Sequence, residues 1–577
     1  MPTPRRPLSA AACAALRPLC REHDGATTAA KLALLRAIAR RGVRLRSYRA
    51  LDALQEDLLF LCAFPDSIAV RDAARGALRR IEPALRALSP RQRALANDSG
   101  MAGSVSAYSP TAEIAHWITA RWPRAAELDW AAIDDTSAID AMIRPLLHPA
   151  EDDGFESGEF STRAWMDGER DRRQESALAW LMASAAAAPP AAYAAFRAQY
   201  DLQPPPVRWS LRQSEGSVTH NALTEPTVVP RRAMRRVTGD PIAGIATPLP
   251  DIELLSEPRA RAVIDVARAV LAARCREVYA FSHANPAEVW WCSLGEGVAL
   301  AVLGVRPERR LSLESNYGYV LFSNTVPVGY GGVTPLWHQA NTGLNIFAPF
   351  RGSEAAFLWQ QTLRAFHTLF GVTRFVVDAV QFGEENDEAI ASGAYWFYWR
   401  LGFRPYEPAL RERAEREAAR LARAKVKKSS AATLRALAHG TMQLVLPGGD
   451  AYPYFPEPWL ARCAHGAAQL LERTHPHDHR AAAREIAEAL ARALGLPAAD
   501  PFAGFSAAER EGFVRLAPLV RLGGAVPRST RGRIAMLQTL RAKSGATEQP
   551  FVAAAMASPM LACLYAFARD WTVGRGS

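Results

Sequence analysis

Apolar residues recur at every third or fourth position from residue 10 to about residue 90. The stretches K-L-A-L-L-R-A-I-A-R and L-D-A-L-Q-E-D-L-L-F-L show this most clearly, with polar and charged residues between the apolar positions. The spacing matches one face of an α-helix and predicts a bundle or a short stack of helices. More helix is expected up to Pro204-Pro205-Pro206, which predicts a stiff connector. We therefore expect an N-terminal helical region, 1–205, followed by an irregular linker, 206–255.

The pattern changes after a helix predicted from Glu257 to about Arg276. Two runs rich in β-forming residues, V-W-W-C-S-L and V-A-L-A-V-L-G-V, flank Gly295-Glu296-Gly297 and predict a hairpin. A second pair, Y-G-Y-V-L-F-S-N and V-P-V-G-Y-G-G-V, is followed by the strand T-G-L-N-I-F-A. Next come a helix from about Glu354 to Phe370, the strand R-F-V-V-D-A-V and a helix that ends at Gly402. This order predicts an α+β domain over residues 256–408.

The rest of the chain, 409–577, returns to helices rich in arginine and alanine, such as L-R-E-R-A-E-R-E-A-A-R-L-A-R. The predicted fold class is thus α+β, with a central mixed sheet and its helices flanked by all-helical N- and C-terminal regions.

Composition excludes several classes of protein. The chain has 577 residues, of which 49% are hydrophobic and 22% are charged. These proportions are ordinary for soluble protein. The net charge of +11 is spread over a long chain with acidic runs, so solvated helix faces explain it and nucleic acid is not an expected partner. The seven cysteines form no CxxC pair, which indicates reduced cytoplasmic thiols without a disulfide frame or a metal site. The alanine-rich stretch 177–196 contains Pro189-Pro190 and predicts no membrane span.

The segment A-P-F-R-G-S-E-A-A, which begins at Ala348, has the layout of an anion-binding loop. A strand-like run ends, a turn of Arg351, Gly352 and Ser353 follows, and a helix begins whose first N–H groups favour negative charge. Glu354 lies in this loop and leaves two interpretations open. With Ser353 as N-cap, it is an ordinary acidic residue of a first helical turn; facing a groove, it repels phosphate.

Residues from about Tyr317 to Pro405 resemble the acyl-CoA-dependent N-acyltransferases of the GNAT fold. The resemblance rests on a strand followed by an arginine-containing turn and helix, on a second strand, and on the closing helix A-Y-W-F-Y-W-R-L-G-F-R-P. Tyr398 to Phe403 fit the family's Y-x-x-x-G-F ending. The family's loop reads Arg or Gln, two residues, Gly, one residue, Gly or Ala; starting at Arg351, Ala356 fits and Glu354 departs. The resemblance implies a coenzyme A site formed by Ile346, Phe347, Arg351, Gly352, Ser353, Ala355 and Ala356.

The resemblance also implies a catalytic role for Tyr398, as the general acid that protonates the departing thiolate. A phenol is protonated at neutral pH, which suits that role. The alternative is that Tyr398 belongs to an aromatic core stripe, since residues 395–399 are all aromatic. No general base can be assigned, although His338 and Asp378 are candidates. An acidic run, Glu384, Glu385, Asp387 and Glu388, is either a solvated turn or a patch that receives a cationic amine.

These features predict a cytoplasmic acyltransferase that moves an acyl group from acetyl-CoA or another acyl-CoA to an amine of a small molecule or protein. Transfer is direct, in a ternary complex, and needs no metal. The alternative is a catalytically degenerate GNAT-fold protein that binds or scaffolds, with Glu354 marking a lost phosphate site. The flanks, through D-L-L-F-L-C-A-F-P-D-S and N-D-S-G-M-A-G-S, resemble uncharacterised bacterial proteins in which helices surround such a core.

Overall fold

The computed structural model describes residues 6–170, 174–212, 215–224, 228–352, 354–423, 428–524 and 526–571. In this part of the chain the architecture is α+β, with helices at both ends and a large mixed sheet between them. The N-terminal part comprises α1 (Ala10–Ala14), α2 (Gly25–Arg41), α3 (Tyr48–Ala63), α4 (Ile68–Leu78), α5 (Ile81–Arg86), α6 (Pro90–Ala94), β1 (Val105–Tyr108), α7 (Ala112–Arg121), β2 (Ala126–Leu128), α8 (Ser137–Ile143), α9 (Pro149–Glu156), α10 (Thr162–Glu169), α11 (Ala177–Ala187), α12 (Pro190–Leu202) and β3 (Val207–Ser210).

The central part contains the two predicted hairpins and the helices that cover the sheet. It comprises α13 (Pro241–Ala246), β4 (Ile252–Leu254), α14 (Glu257–Ala272), α15 (Tyr279–Ser282), β5 (Ala284–Gly295), β6 (Val298–Val305), β7 (Tyr317–Ser323), β8 (Val326–Leu336), β9 (Gln339–Thr342), β10 (Asn345–Ile346), α16 (Ala355–Phe370), β11 (Arg374–Val377), α17 (Asp387–Ser392), α18 (Ala394–Arg400) and β12 (Arg404–Pro405).

The C-terminal part is mostly helical. It comprises α19 (Pro408–Arg423), α20 (Ala431–Leu437), β13 (Met442–Val445), α21 (Glu457–Thr474), α22 (His479–Ala493), α23 (Ala507–Leu522), α24 (Thr530–Ala542), α25 (Gln549–Ala557) and α26 (Met560–Asp570). Short 3-10 turns cover Arg17–Leu19, Arg144–Leu146, Pro307–Arg309, Ala348–Phe350, Ala379–Gln381 and Gly449–Ala451.

The prediction of all-helical flanks is wrong at two places. Strands β1, β3 and β2 form a small antiparallel sheet in that order, so the N-terminal region contains strands and part of the predicted linker is one of them. The second correction concerns β13, which lies beyond residue 408 and yet joins the central sheet. These strands are only three or four residues long. An alternating pattern of that length cannot be distinguished from a loop.

The central sheet runs in the order β12-β13-β11-β9-β8-β7-β6-β5-β4. Its neighbours are antiparallel except β9 and β11, which are parallel and are joined by α16. The predicted hairpin of β5 and β6 turns at Glu296 and Gly297, both with positive φ. Helix α16 ends at Gly371, whose φ is 68°. Glycine adopts this left-handed conformation without strain.

Two hydrophobic cores stabilise the chain. The larger one joins the N-terminal helices to the central sheet, as in the edge-on contact of Phe64 with Phe350 at 6.1 Å between ring centroids. The smaller one lies among the C-terminal helices and includes Cys463, Phe513 and Leu564. Helix α3 is packed against the sheet, where the Ser323 hydroxyl donates to the carbonyl of Ala63 at 2.6 Å. The N-terminal region therefore reaches the elements that carry the predicted site.

No single helix in the described part of the chain is long and apolar enough to cross a membrane. Helices α25 and α26 reach that length and composition only together, and they are bent by 75° at the break between them. Most of their buried side chains, among them Phe551 and Leu564, belong to the smaller core, while Val552 belongs to the larger one.

Candidate functional site

A cavity of about 690 Å³ lies where the central sheet meets helix α3. One wall is the stretch from Leu344 to Gly352, and a second is formed by α17 and α18. The third wall comes from the N-terminal region and includes Asp52, Glu56 and Ser99. Its volume is that of a small-molecule site rather than of a packing defect.

The cavity exists because β10 and β11 separate from each other. Strand β11 pairs with Gln339–Asn341 of β9. In the described chain the next strand, β10 (Asn345–Ile346), pairs with β8 and not with β11. In the short link between β9 and β10, the Tyr319 hydroxyl donates to the carbonyl of Gly343 at 2.5 Å. A Cβ atom on Gly343 would lie 2.7 Å from the side chain of Gln381. The end of that flexible side chain would have to move to admit it. Beyond this point the edge of β10 that faces away from β8 adjoins the cavity.

Most of the coenzyme A site implied by the resemblance adjoins this cavity. Its walls include Ile346, Phe347, Arg351, Gly352 and Ala355. Ala356 does not line it and packs against the larger core instead. Ser353 lies outside the described residues, so its interpretation as a helix cap stays a prediction.

Arg351 connects two walls of the cavity. Its Nε donates to the carbonyl of Ile346 at 3.2 Å, and its guanidinium forms an ion pair with Glu388 of α17. The backbone next to it is held from the N-terminal region, because Arg21 donates to the carbonyls of Arg351 and Gly352 at 3.1 and 3.4 Å. Gly352 has a φ of +70°. A residue with a side chain adopts this conformation only with strain.

Glu354 points away from the cavity. Its side chain is fully buried, lies 3.2 Å from the guanidinium of Arg231 and accepts a hydrogen bond from the backbone N–H of Arg235 at 2.8 Å. Burial lowers the pKa of Arg231, and the carboxylate of Glu354 opposes that shift. Glu354 is therefore neither exposed at the helix start nor part of the cavity wall, which differs from both interpretations left open by the sequence.

Tyr398 lines the cavity and lies among aromatic rings. It contacts Trp359, Phe403 and Phe382 at 5.6 to 6.2 Å between ring centroids, and only 3% of its surface is exposed. Burial raises the pKa of Tyr398, while a hydrogen bond with the backbone of Leu344 lowers it. The phenol therefore stays protonated at neutral pH. It lies beside the edge of β10 that faces away from β8. Tyr395, by contrast, is buried outside this cavity.

Two pairs of charged residues in the cavity wall were missed by sequence reasoning. Asp52 and Glu56 come from α3, and Arg274 and Arg276 follow α14. Burial, together with the charge of Glu56, raises the pKa of Asp52. Burial lowers the pKa of Arg274 to about 10, and its guanidinium lies 4.3 Å from the ring centroid of Phe347. The one signal in the sequence is the pair of carboxylates four residues apart on a helix, a spacing at which like charges repel.

The two suggested bases lie elsewhere. His338 stacks on Tyr452 at 3.4 Å between ring centroids, and Asp378 follows β11; neither lines the cavity. Two residues of the acidic run are ion-paired, Glu388 with Arg351 and Asp387 with Arg435 at 2.8 Å, and Glu384 lies 3.5 Å from the imidazole of His439.

The described residues contain no group of three or more His, Cys, Asp or Glu side chains that could hold a metal ion. No protein-family model matches the chain, and neither do the curated proteins or the solved structures with which it was compared.

Proposed function

We propose that the chain transfers an acyl group from an acyl-CoA to an amine in the cavity between β10, α18 and α3. The observation that carries the proposal is that Tyr398, the free edge of β10 and the start of α16 meet in one cavity. These are the three parts that the resemblance to GNAT-fold acyltransferases implies. The helix start at Ala355 offers a favourable environment for a pyrophosphate, and the backbone of Asn345–Ile346 can bind an extended amide chain.

In the proposed reaction the amine nitrogen attacks the thioester carbonyl, a C–N bond forms and the C–S bond breaks. Tyr398 gives its proton to the departing sulfur. Asp52 takes the proton that the amine nitrogen loses, because it is a carboxylate of raised pKa in the same cavity. Glu56 lies beside Asp52 but forms an ion pair with Arg17 at 3.0 Å, so it adds little net negative charge to the cavity.

A calorimetric titration of the full chain with acetyl-CoA tests the binding half of the proposal. The informative variant is Ala355→Glu, because a carboxylate in a first helical turn is compatible with folding and yet lies in the cavity wall. We expect micromolar binding by the wild type and a loss of at least about tenfold in Ala355→Glu.

The matched control is Ala191→Glu, an exposed position in the first turn of α12 that does not line the cavity. It is expected to bind acetyl-CoA as the wild type does. Absence of binding by the wild type contradicts the proposal and favours the alternative, a fold that has kept its shape for binding or scaffolding. Equal binding by Ala355→Glu and wild type places the coenzyme elsewhere.

A further inference from the structure

Two further cavities adjoin each other on the other side of α3. The first, of about 500 Å³, lies between α4 and the turn Asn324–Val326, and the second, of about 480 Å³, lies between α7 and α14. Both are lined by Arg75, His220, Asn221 and Ala222, so these residues stand at the junction. Among the described residues that line the candidate acyltransferase cavity, Leu59 is the one that also lines one of these two. The two cavities thus form a separate cleft.

The first cavity is lined by a row of arginines. Arg71 and Arg75 lie on one face of α4, and Arg79 follows at the same four-residue spacing immediately after the helix ends. The one carboxylate that lines this cavity within the described chain is Asp72, which lies 3.0 Å from Arg71. Arg75 is exposed and forms no ion pair with any described residue. An anion at the junction would therefore meet a guanidinium that is not ion-paired with a described residue, although the exposed carboxylate of Glu215 lines the adjoining cavity.

His220 faces the same junction from a rigid segment. The backbone N–H groups of His220 and Asn221 donate to the carbonyl of Ser217 at 3.1 and 2.9 Å, and Leu223 donates to Thr325 at 3.0 Å. The Nε2 atom of His220 is buried and finds no hydrogen-bond partner within the described residues. Burial lowers the pKa of His220, as do Arg79 and Arg75, against the opposing charge of Glu82. The imidazole is therefore neutral at neutral pH, and its Nε2 is a polar atom to which no described residue is hydrogen-bonded.

The second cavity supplies an aromatic environment. Trp117, Trp122 and Trp291 line it. Two acidic side chains also line it: Asp265 accepts from the indole N–H of Trp117 at 3.0 Å and forms an ion pair with Arg121, whereas Glu215 is exposed. Trp291 is supported from behind by Phe322, at 5.6 Å between ring centroids. The Trp117 ring is buried and Arg121 lies over it at 5.3 Å, so Trp122 and Trp291 offer the accessible indole surface, and indole faces bind planar aromatic groups.

We propose that this cleft binds a small phosphate monoester with an aromatic body, its phosphate between Arg75 and His220 and its ring among Trp117, Trp122 and Trp291. A phosphate monoester supplies the several acceptor oxygens that a guanidinium and an imidazole N–H can share. The volume beyond the junction is larger than a phosphate group needs and is lined by indoles, which explains the aromatic body. This site does not depend on the acyl-transfer activity.

The test uses two probes, methyl phosphate and phenyl phosphate, titrated calorimetrically into the full chain at one ionic strength. Both are monoester dianions and they differ in the ring, so their difference isolates the indole-lined cavity. We expect phenyl phosphate to bind at least about tenfold more tightly than methyl phosphate. Arg75→Gln is expected to weaken both by about tenfold or more, and Trp291→Leu to weaken phenyl phosphate alone.

Arg36→Gln is the matched control, since it removes the same charge from an exposed position on α2 outside both cavities. It is expected to leave both affinities unchanged. Absence of phosphate binding, or equal binding by Arg75→Gln and wild type, overturns the site. Equal affinity for the two esters overturns the aromatic part of the proposal. His220→Ala gives a second measure, because loss of Nε2 should weaken both probes if the imidazole contacts the phosphate.

Discussion

The guanidinium of Arg231 lies 3.2 Å from the carboxylate of Glu354, and both side chains are fully buried. The pair fixes the start of α16 against the segment that contains Arg231 and Arg235. A residue that the sequence places in a phosphate loop is thus held inside the protein by a partner more than a hundred positions earlier in the chain. The loop residues that border the cavity are Arg351, Gly352 and Ala355.

Breaking this buried pair should destabilise the protein strongly. Glu354→Gln is expected to lower the free energy of unfolding by ~1 to 3 kcal/mol, because Arg231 keeps its charge and loses its buried partner, while the partly exposed Glu296 still pairs with it at 3.1 Å. Urea unfolding provides the measurement. Arg261→Gln, in the exposed pair Glu257 and Arg261, serves as control. This control should cost less than about 1 kcal/mol. If Glu354→Gln lowers the free energy of unfolding no more than Arg261→Gln does, the result contradicts the buried pairing.

Tyr398→Phe should separate binding from turnover. The ring keeps its contacts with Trp359 and Phe403, so acetyl-CoA should bind with unchanged affinity, while kcat falls on the order of 100-fold because the proton donor is gone. Tyr395→Phe removes a buried hydroxyl that has no partner in the described chain and does not line the cavity. Its kcat should equal that of the wild type. Equal kcat values in the two variants would exclude Tyr398 as the acid.

Asp52→Asn should abolish the acidic limb of the pH profile of kcat/KM. A general base acts when deprotonated, so the wild-type rate rises with pH through the pKa of Asp52, which burial and Glu56 raise above its ordinary value. The variant should lose activity on the order of 100-fold and show no such limb. Asp52→Glu, which retains a carboxylate, should keep part of the activity and part of the acidic limb. An unchanged acidic limb in Asp52→Asn assigns the base to another group.

Glu288 should make the attachment of the C-terminal helices depend on pH. Its carboxylate accepts from the backbone N–H groups of Glu548 and Gln549 at 2.8 and 2.9 Å and from the Tyr317 hydroxyl at 3.0 Å. Arg310, Lys543 and Glu548 are the charged groups around it. Burial raises the pKa of Glu288 to about 7 from 4.5.

The sign of the pH effect follows from that shift. The folded state holds the proton more tightly than the unfolded state, so the stabilisation is complete below pH 4.5 and is lost as the pH rises through 7. The free energy of unfolding should therefore be lower at pH 8 than at pH 5. This decrease should be larger in the wild type than in Glu288→Gln, by on the order of a few kcal/mol. An equal decrease in the two proteins would mean that Glu288 does not titrate between pH 5 and pH 8.

The sequence predicted the parts of the fold that have long, regular patterns. The β5–β6 hairpin follows from two runs of β-forming residues around Gly295-Glu296-Gly297, and α16 from apolar spacing that ends at Gly371. Strands β2 and β13 were missed because three or four residues show too few alternations.

The same limit applies to the candidate site. Ile346 to Ala355 are nearly contiguous, so a loop pattern finds them together. Asp52 and Arg274 reach the cavity only because α3 and α14 pack against the sheet, and helical periodicity shows which residues share a face but not what that face meets. The direction of Glu354 was likewise beyond the sequence, since it depends on Arg231.

Strand β13 has a consequence for the order in which the chain folds during synthesis. It lies between β11 and β12, although it follows both of them in the sequence. Until residue 445 has left the ribosome, the outer edge of β11 has no neighbour, and β12 has no strand to pair with. An unpaired edge of this kind is a template for association with other chains. Nascent chains that end between β12 and β13 should therefore be the ones that most need a chaperone.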